Sequence, residues 1–392
     1  MDLERFYLDY NATSPLSQSV SDWLKSGDLL FANPSSQHSL GKASRKVINE
    51  ARTEIFSTFY RTESDSKLFL HSGATEAFIT MAFSFAEIAR LSGKDLLICT
   101  SKTDHPCVAS MPARFFGPHV KFIEIKKAKD LSSLHAENFE ILKDKKDNNP
   151  DLMILYHHLW VHNETGLISP LEDLKLLKSV PDLFIHVDGV QAIGKTPDWN
   201  KLTEGDLWTF SGHKFGSMKG IGFTLMNKSV PFHALITGGG QQQGMRSGTE
   251  NPMTAKSLHL ALQDIKKIDI KKNTDLRMEL VKFMSAELPE LGTLLLPPAQ
   301  YSSSNTIYFY LKDLTSDIAL ALFDLNGIEI SAGSACSSGA AKASDVLIHM
   351  GLSEVARNGL RLSLPYNLNS SQLEKIKGQL KVVFGKLKPS SI

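Results

Sequence analysis

Between residues 67 and 225 the chain alternates short apolar runs with amphipathic ones, and this alternation constrains the fold more than any other feature. Seven runs have the length and character of strands: 68–70, 95–100, 120–125, 152–156, 183–188, 207–210 and 222–226. Stretches with helical spacing, such as 75–91 and 171–179, separate several of them. Strands that alternate with helices are typical of parallel sheets covered by helices on both faces. The alternation therefore predicts a large α/β domain with a mostly parallel sheet.

The C-terminal third predicts a smaller unit of mixed character. The spacing of its apolar residues indicates three helices and two strands, at 275–288, 306–311, 316–325, 359–364 and 371–387. We find no internal repeat and no low-complexity linker, which favours two domains packed together. We expect residues 15–260 to form the large domain and residues 1–14 and 261–392 to form a smaller α+β domain.

Charge along the chain is nearly balanced, with 43 Lys and Arg against 42 Asp and Glu and a formal net charge of +1. Nucleic acids and anionic membranes usually require a basic patch or stripe, so this balance favours a small-molecule ligand over either partner. The tract 143–149 mixes both charge signs and is expected to form a solvated surface loop. The stretch 266–272 is expected to be a charged helix that joins the two domains.

The cysteine content indicates a reducing compartment. Cys99, Cys107 and Cys336 are an odd number, too few for a disulfide framework and without the spacing of a metal site. The first ten residues carry three acids and no apolar run behind a basic stretch, unlike a signal or transit peptide. No window approaches the roughly 18 consecutive apolar residues of a spanning helix. We therefore expect a cytoplasmic protein.

Three segments place reactive or polar side chains where predicted strands end. Residues 69–77 predict a strand, a turn of small residues and a helix, which offers backbone N–H groups and the helix dipole to an anion. An ordinary N-capped turn explains this segment equally well. Asp188 ends one strand and could accept a hydrogen bond from a cationic ring nitrogen, or only cap a turn. Lys214 follows another strand, where a Schiff-base nucleophile could lie, although most lysines are solvated surface charges.

The combination of these three features is more informative than any one of them. An anion-binding turn, an acid at one strand end and a lysine at another are what pyridoxal phosphate requires. Its phosphate binds a helix N-terminus, its ring nitrogen pairs with a carboxylate, and its aldehyde reacts with a lysine. The order of the three along the chain predicts a site for this cofactor.

The chain also resembles the cysteine desulfurases, which are class V aminotransferases of the fold-type I pyridoxal phosphate enzymes. The resemblance runs from residue 7 to about 364 and rests on segments that occur in family order: YLDYNAT (7–13), NPSSQH (33–38), SGATE (72–76), DH (104–105), NETG (163–166), HVD (186–188) with Gln191, SGHK (211–214), GGG (238–240), MRSGT (245–249), SAGSACSS (331–338) and RLS (361–363). A given four-residue string should occur by chance with odds on the order of 1 in 400, and many ordered segments make coincidence negligible. The resemblance implies a large domain with a seven-stranded, mostly parallel sheet and a smaller C-terminal domain.

The resemblance assigns most of the matched residues to the cofactor. It implies that Lys214 forms the Schiff base and carries protons, and that Asp188 pairs with the ring nitrogen. His105 would stack on the ring face and could act as an acid or base. The remaining cofactor contacts would come from residues beside the phosphate and the phenolic oxygen: Ala74, Thr75, Asn163, Gln191, Ser211, His213 and, reaching from the neighbouring subunit of a homodimer, Thr249.

The same resemblance assigns the substrate and the sulfur carrier. Arg361 would bind the substrate α-carboxylate, a task that suits its planar bidentate fork, with Asn163 and Asn33 also on the substrate side. Cys336 lies among small residues that have little to bury, where a thiol could meet substrate sulfur and carry it away. Cys99 lies in an apolar run, and we expect it to pack in the core. We expect packing for Cys107 as well, although its position after His105 could bring it near the cofactor.

The predicted reaction is the conversion of L-cysteine to L-alanine with transfer of sulfur to Cys336 as a persulfide. Sulfur would then pass to an acceptor protein of iron–sulfur cluster assembly or of transfer RNA thiolation. A selenocysteine lyase or another aminotransferase of the same class remains an alternative. A degenerate relative acting as a binding subunit is a third, against which the presence of Lys214, Asp188, His105, Cys336 and Arg361 counts.

Overall fold

Thirteen strands form the framework of the described part of the chain. The computed structural model describes residues 4–111, 116–125, 131–333 and 343–387, with the side chains of 131–135 left out. The strands are β1 (Phe6–Tyr7), β2 (Ser66–His71), β3 (Leu96–Thr100), β4 (Val120–Glu124), β5 (Met153–Leu159), β6 (Leu183–Asp188), β7 (Leu207–Ser211), β8 (Gly222–Asn227), β9 (Gly292–Leu294), β10 (Thr306–Leu311), β11 (Ile328–Glu329), β12 (Ser331–Ala332) and β13 (Gly359–Ser363).

Ten α-helices accompany these strands in the described residues. They are α1 (Gln18–Ser26), α2 (Ser39–Thr58), α3 (Ala74–Leu91), α4 (Pro106–Ala109), α5 (Leu131–Asn148), α6 (Pro252–Ile265), α7 (Ile270–Glu287), α8 (Ser316–Leu325), α9 (Asp345–His349) and α10 (Ser370–Leu387). The stretch predicted as helical at 171–179 forms a 3₁₀ helix, Glu172–Ser179. Among the residues described, no helix is long and apolar enough to cross a membrane.

The large sheet has seven strands in the order β2-β8-β7-β6-β5-β3-β4. Strand β8 runs antiparallel to both of its neighbours, and all other pairs are parallel. The seven strands are those that the alternation of apolar and amphipathic runs predicts, so this part of the prediction is confirmed. Because β2, β5, β6 and β7 run in the same direction, their carboxyl ends meet at one edge of the sheet. Ligands of open α/β sheets bind at such an edge.

A second sheet, β12-β13-β10-β9, is antiparallel and belongs to a core cluster of its own. That cluster joins apolar side chains of α7, α8 and α10 to Leu8 near the N-terminus. Strand β1 pairs in parallel with β11, which holds Phe6 and Tyr7 against this C-terminal unit. The cluster of the large sheet also includes Leu262, Ile265 and Tyr366, so the predicted division at 15–260 against 1–14 and 261–392 stays a prediction.

Two predictions about charged stretches were wrong. Residues 143–148 belong to α5 and are not a loop. The helix buries Leu142 and Lys146, which are four residues apart and therefore share a face, while its other charges are solvated. Residues 266–269 interrupt the predicted connecting helix, because α6 ends at Ile265 and the side chain of Asp269 caps α7 by accepting a hydrogen bond from the Lys272 amide (3.0 Å).

Candidate active site

A cavity of about 610 Å³ opens at the carboxyl edge of the large sheet. Strands β6 and β7 end at its wall with Asp188 and Ser211, and the turn after β2 supplies residues 72–75. Ten residues predicted for cofactor, substrate or catalysis line this one cavity: Ala74, Thr75, His105, Asn163, Asp188, Gln191, Ser211, His213, Lys214 and Arg361. Side chains separated by almost 290 positions in the sequence thus meet where the topology predicts a ligand site.

Lys214 follows β7 on a single 3₁₀ turn, Gly212–Lys214, which directs its side chain into the cavity. Its Nζ donates to the backbone carbonyls of Asn11 and Ala12, both at 2.8 Å. Desolvation and, to a smaller extent, the positive charge of Arg361 lower the pKa of Lys214 to about 8. Roughly a tenth of the amine is therefore unprotonated at pH 7, far more than for a lysine with the ordinary pKa of 10.5, as a nucleophile or base requires.

Asp188 ends β6 with 6% of its surface exposed. Its Oδ1 accepts a hydrogen bond from the Val190 amide at 3.0 Å, so the carboxylate does cap the following turn. It also lines the cavity, and its negative charge opposes the lowering of the pKa of both His105 and Lys214. Asp188 can therefore both cap the turn and act on a ligand, because one oxygen accepts the turn amide while the negative charge acts on the cavity.

His105 is the N-cap of the short helix α4, and this fixes its tautomer. Its Nδ1 accepts a hydrogen bond from the Cys107 amide at 3.3 Å and lies 3.1 Å from the Cys107 sulfur. Because Nδ1 is an acceptor, the proton of the neutral ring is on Nε2. Desolvation lowers the pKa of His105, so the neutral form predominates at neutral pH. In this state the ring presents an N–H donor rather than a basic nitrogen.

Cys107 does not pack in the core as expected. Its side chain is half-buried in the cavity wall, because α4 begins directly after His105 and turns the residue towards the site. Burial and the charge of Asp188 raise the pKa of the thiol to about 12, which makes it a poor nucleophile. The prediction for Cys99 is confirmed, since this residue is fully buried within the large core cluster.

The turn before α3 forms the anion-binding end of the cavity. The helix is 18 residues long and begins at Ala74, with no side chain capping its first N–H groups. Such a terminus attracts an anion through its unpaired N–H groups and its dipole. Opposite it lies His213, whose pKa is lowered to about 4 by desolvation and the nearby Lys214. His213 is therefore neutral at physiological pH, with Nδ1 3.2 Å from the hydroxyl of Thr13.

Arg361 lies on β13 with 4% of its surface exposed. Its Nη2 forms an ion pair with the Asp9 carboxylate at 2.6 Å, and its Nη1 donates to the backbone carbonyl of Asn163 at 3.1 Å. Within the described residues its Nε has no hydrogen-bond partner. The guanidinium is thus held by the protein on two nitrogens and retains donors for a further acceptor, as a clamp for a carboxylate needs.

Two of the predicted residues are not among those that line this cavity, and a third lies outside the described residues. Asn33 is exposed, and its Oδ1 accepts a hydrogen bond from the Ser35 amide at 2.9 Å. Thr249 is exposed and also lies away from the lining residues. Cys336 lies outside the described residues. Gly333 is the last described residue before Cys336, and Ala343 is the first described residue after it. Both line the cavity.

The structure adds four polar residues that the sequence predictions missed. Asp9 pairs with Arg361, and Asn11 supplies a carbonyl to Lys214. Glu164 is buried in the cavity wall, where its Oε2 accepts hydrogen bonds from Tyr308 (3.1 Å) and Ser344 (3.0 Å), and burial raises its pKa. Lys195 is buried beside Asn11. Asp9 and Asn11 fall in the matched segment 7–13, which was the available signal for them.

Comparison with known proteins gives a consistent result. The class-V aminotransferase family matches residues 6–376. The cysteine desulfurase IscS of Dictyoglomus turgidum is 31% identical over 394 residues, covering 98% of this chain and 96% of that protein. A cysteine desulfurase of Cereibacter sphaeroides is 30% identical over 376 residues, covering 95% and 94%. Among solved structures, a NifS-like protein has a TM-score of 0.79 at 26% identity over 98% of this chain and 100% of that one. A structure described as SspA in complex with cysteine has a TM-score of 0.70 at 26% identity, covering 92% and 98%.

Proposed function

The chain belongs to the class-V aminotransferase family and, within it, to the cysteine desulfurases, and from that membership we propose that it converts L-cysteine to L-alanine and transfers the sulfur to Cys336. The observation that carries the proposal is the meeting of Lys214, Asp188 and Arg361 in one cavity. A lysine with a lowered pKa, a buried carboxylate and an arginine with spare donors are the groups that this chemistry needs.

The cavity residues fit pyridoxal phosphate as the cofactor. The volume of about 610 Å³ is within the usual range of cofactor pockets, and the uncapped start of α3 suits a phosphate. Asp188 would pair with the ring nitrogen, His105 would lie on the ring face, and Lys214 would bind the aldehyde. Thr75, Ser211 and His213 would complete the phosphate site, with Ala74 contributing from the turn. When bound, the cofactor supplies a carbonyl that captures the substrate amine and a protonated ring that withdraws electrons from it.

Substrate recognition is assigned to Arg361. The Asp9 carboxylate balances the charge of the guanidinium before substrate binds, so Arg361 is not an unpaired buried charge in the free protein. Asn163 positions the guanidinium through its backbone carbonyl and lines the cavity with its side chain. We keep Asn33 as a proposed contributor on the substrate side, to be tested independently.

Proton transfer is assigned to Lys214 and His105. Lys214 has a pKa near 8, so its Nζ can take the substrate α-proton and return a proton to the product. His105 offers its Nε2–H as a donor, since Nδ1 is occupied by the Cys107 amide. These two side chains therefore have different roles, with the lysine as base and the neutral histidine as hydrogen-bond donor.

The sulfur is taken up by Cys336. Its thiolate attacks the substrate sulfur, an S–S bond forms, and the bond between that sulfur and the substrate β-carbon breaks. The electron pair of the broken bond and a proton remain with the three-carbon product, which leaves as alanine. One cysteine and one Cys336 thiol thus give one alanine and one Cys336 persulfide, with no external oxidant or reductant.

The assembly and the pathway follow from the family. We propose a homodimer in which the exposed Thr249 reaches the phosphate site of the neighbouring subunit. The persulfide would pass its sulfur in the cytosol to an acceptor protein for iron–sulfur cluster assembly or transfer RNA thiolation. The Dictyoglomus relative is named cysteine desulfurase IscS, and this name supports the proposed transfer of sulfur to an acceptor.

A product assay tests the proposal. Purified protein supplied with pyridoxal phosphate and L-cysteine should yield alanine and, with a thiol reductant present, an equal amount of sulfide. The Cys336→Ser variant should bind cofactor and lose sulfide release, whereas Cys99→Ser serves as a control for loss of a buried thiol. Formation of pyruvate in place of alanine, a much higher rate with selenocysteine, or an unchanged rate in Cys336→Ser would contradict the proposal.

A further inference from the structure

Lys195 lies beneath the predicted cofactor site with only 1% of its surface exposed. Its Nζ donates to the side-chain oxygen of Asn11 at 3.1 Å and to the side-chain oxygen of Gln191. Gln191 is four residues earlier in the same turn region and lines the cavity. The lysine is therefore one contact away from a residue that faces the ligand.

No carboxylate pairs with this lysine in the described part of the chain. Burial lowers the pKa of Lys195 well below its ordinary value, and the positive charges of Lys214 and Arg361 act in the same direction, with Asp9 opposing them. A neutral amine has two N–H donors, and the structure supplies two oxygen acceptors. The two acceptors thus match the two N–H donors of a neutral lysine. Lysine is seldom found fully buried.

The contacts of Lys195 determine which way the Gln191 amide points. The amide oxygen accepts from the lysine, and the amide nitrogen donates to the backbone carbonyl of Asn11 at 2.9 Å. Rotating the amide by half a turn would place its oxygen against the Asn11 carbonyl, where two acceptors repel, and would leave one lysine N–H without its oxygen acceptor. The second N–H of the Gln191 side-chain amide has no hydrogen-bond partner among the described residues, and Gln191 lines the cavity.

We propose that Lys195 is a positioning residue that orients the Gln191 amide so that an N–H donor, and not a carbonyl oxygen, is offered to an anionic oxygen of the ligand in the cavity. The inference rests on the proposed function, in which that ligand is pyridoxal phosphate and the oxygen is its phenolic oxygen. It assigns a role to a residue that contacts neither cofactor nor substrate.

The test is a spectroscopic titration of the cofactor-loaded protein. A donor to an ionised phenolic oxygen favours the deprotonated form of the chromophore that Lys214 makes with the cofactor, so losing the donor raises the pKa read from its absorption bands. Lys195→Met, which keeps the length and removes the donors, should raise this pKa by about one unit, a tenfold change in proton affinity. The surface variant Lys201→Met, which removes an exposed lysine paired with Asp198, should leave it unchanged.

A double-mutant cycle separates positioning from a general structural effect. Gln191→Met should raise the same pKa, and adding Lys195→Met to it should cause no further rise. An equal rise in both backgrounds, or no rise in Lys195→Met alone, would overturn the inference. If Lys195→Met does not fold, the cycle is run with Lys195→Gln, whose amide falls one bond short, and a rise of the same sign is expected.

The outcomes also separate this inference from the proposed function. Wild-type protein that binds pyridoxal phosphate and releases sulfide, together with an unshifted pKa in Lys195→Met, contradicts only the role of Lys195. Wild-type protein that binds no pyridoxal phosphate contradicts the proposed function itself. Thermal unfolding of each variant without cofactor reports whether the substitution acts through stability alone.

Discussion

Two regions build the cavity by different means. The strand-end residues Asp188, Ser211 and Lys214 follow β6 and β7, whose side chains are almost entirely buried in a continuous sheet. The N-terminal segment, residues 9–13, has no helix and only an isolated bridge between Asp9 and Ser363. The first region is positioned by a rigid sheet, whereas the second is positioned by the polar contacts that it makes with the site.

The two regions have different roles in the proposed function. There the strand-end residues carry the reacting groups, and the N-terminal segment holds neighbouring groups in place. Its backbone carbonyls at Asn11 and Ala12 accept hydrogen bonds from the Lys214 amine, and its Asp9 carboxylate pairs with Arg361. A segment with little regular structure thus contacts two of the proposed site residues directly.

Removing the reactive lysine should have the largest effect. Lys214→Ala deletes both the nucleophile and the base, so desulfuration should fall by at least about a thousand-fold. Rates of alanine formation in wild type and variant measure the effect. Lys201→Ala, which removes an exposed lysine that is not among the residues lining the cavity, is the control and should retain activity. If Lys214→Ala formed alanine at a rate within tenfold of wild type, the strand-end residues would have no part in the reaction.

Roles for the strand-end residues could be predicted from the sequence, whereas the N-terminal segment 7–13 was only matched as a string, with no role for Asp9 or Asn11. Apolar runs interrupted by turns specify strands through local periodicity, so the seven strands and the acid and lysine at their ends were accessible. Asn11 acts on Lys214 through a backbone carbonyl, which every residue possesses, so no side-chain pattern reveals it. The ion pair of Asp9 joins it to Arg361, 352 positions away in the chain.

The wrong predictions have the same physical origin. Charge composition alone suggested a loop at 143–149, but only packing reveals that Lys146 is buried against Asp182 and the Leu152 carbonyl. The placement of Cys107 in the cavity wall depends on the direction in which α4 leaves His105. Local periodicity predicts an element, and tertiary packing decides which of its side chains are buried or face the site.

The ion pair of the N-terminal segment should rank second in effect. Asp9→Asn leaves the buried Arg361 without its counter-charge, so we expect a loss of about 3 kcal/mol in the free energy of unfolding and a raised KM for cysteine. Denaturant unfolding and steady-state kinetics measure both. Asp198→Asn breaks an exposed pair with Lys201 and should cost less than about 1 kcal/mol. Equal losses in the two variants would show that Asp9 has no special role.

The Asn11 side chain should matter less, because its backbone carbonyl survives substitution. Asn11→Ala removes the acceptor shared by Lys195 and Asn305 and the donor to Thr306, so about 2 kcal/mol of stability should be lost. Asn148→Ala, which removes an exposed side chain hydrogen-bonded to the exposed Asp144, is the matched control. If both variants unfold at the wild-type denaturant concentration, the polar contacts of the N-terminal segment do not stabilise the fold.

The smallest effect should be a pH dependence of stability. Burial lowers the pKa of Lys214 from 10.5 to about 8, so above pH 8 the unfolded chain binds a proton that the native state has released. Stability contributed by this position therefore rises with pH. Without cofactor, the difference in unfolding free energy between wild type and Lys214→Met should grow in favour of wild type by about 1.5 kcal/mol from pH 8 to 9.5. If this difference in unfolding free energy did not change with pH, the backbone carbonyls of Asn11 and Ala12 would not be holding Lys214 as a neutral amine.

The central claim is that sulfur from cysteine is carried by Cys336, and mass analysis of the protein after turnover tests it most directly. Wild-type protein, loaded with pyridoxal phosphate, treated with L-cysteine without reductant and digested, should carry one additional sulfur atom on the peptide that contains Cys336. The peptides that contain Cys99 and Cys107 should be unmodified, as their buried or weakly acidic thiols require. Additional sulfur on Cys107, or its absence from Cys336 while alanine accumulates, would contradict the account.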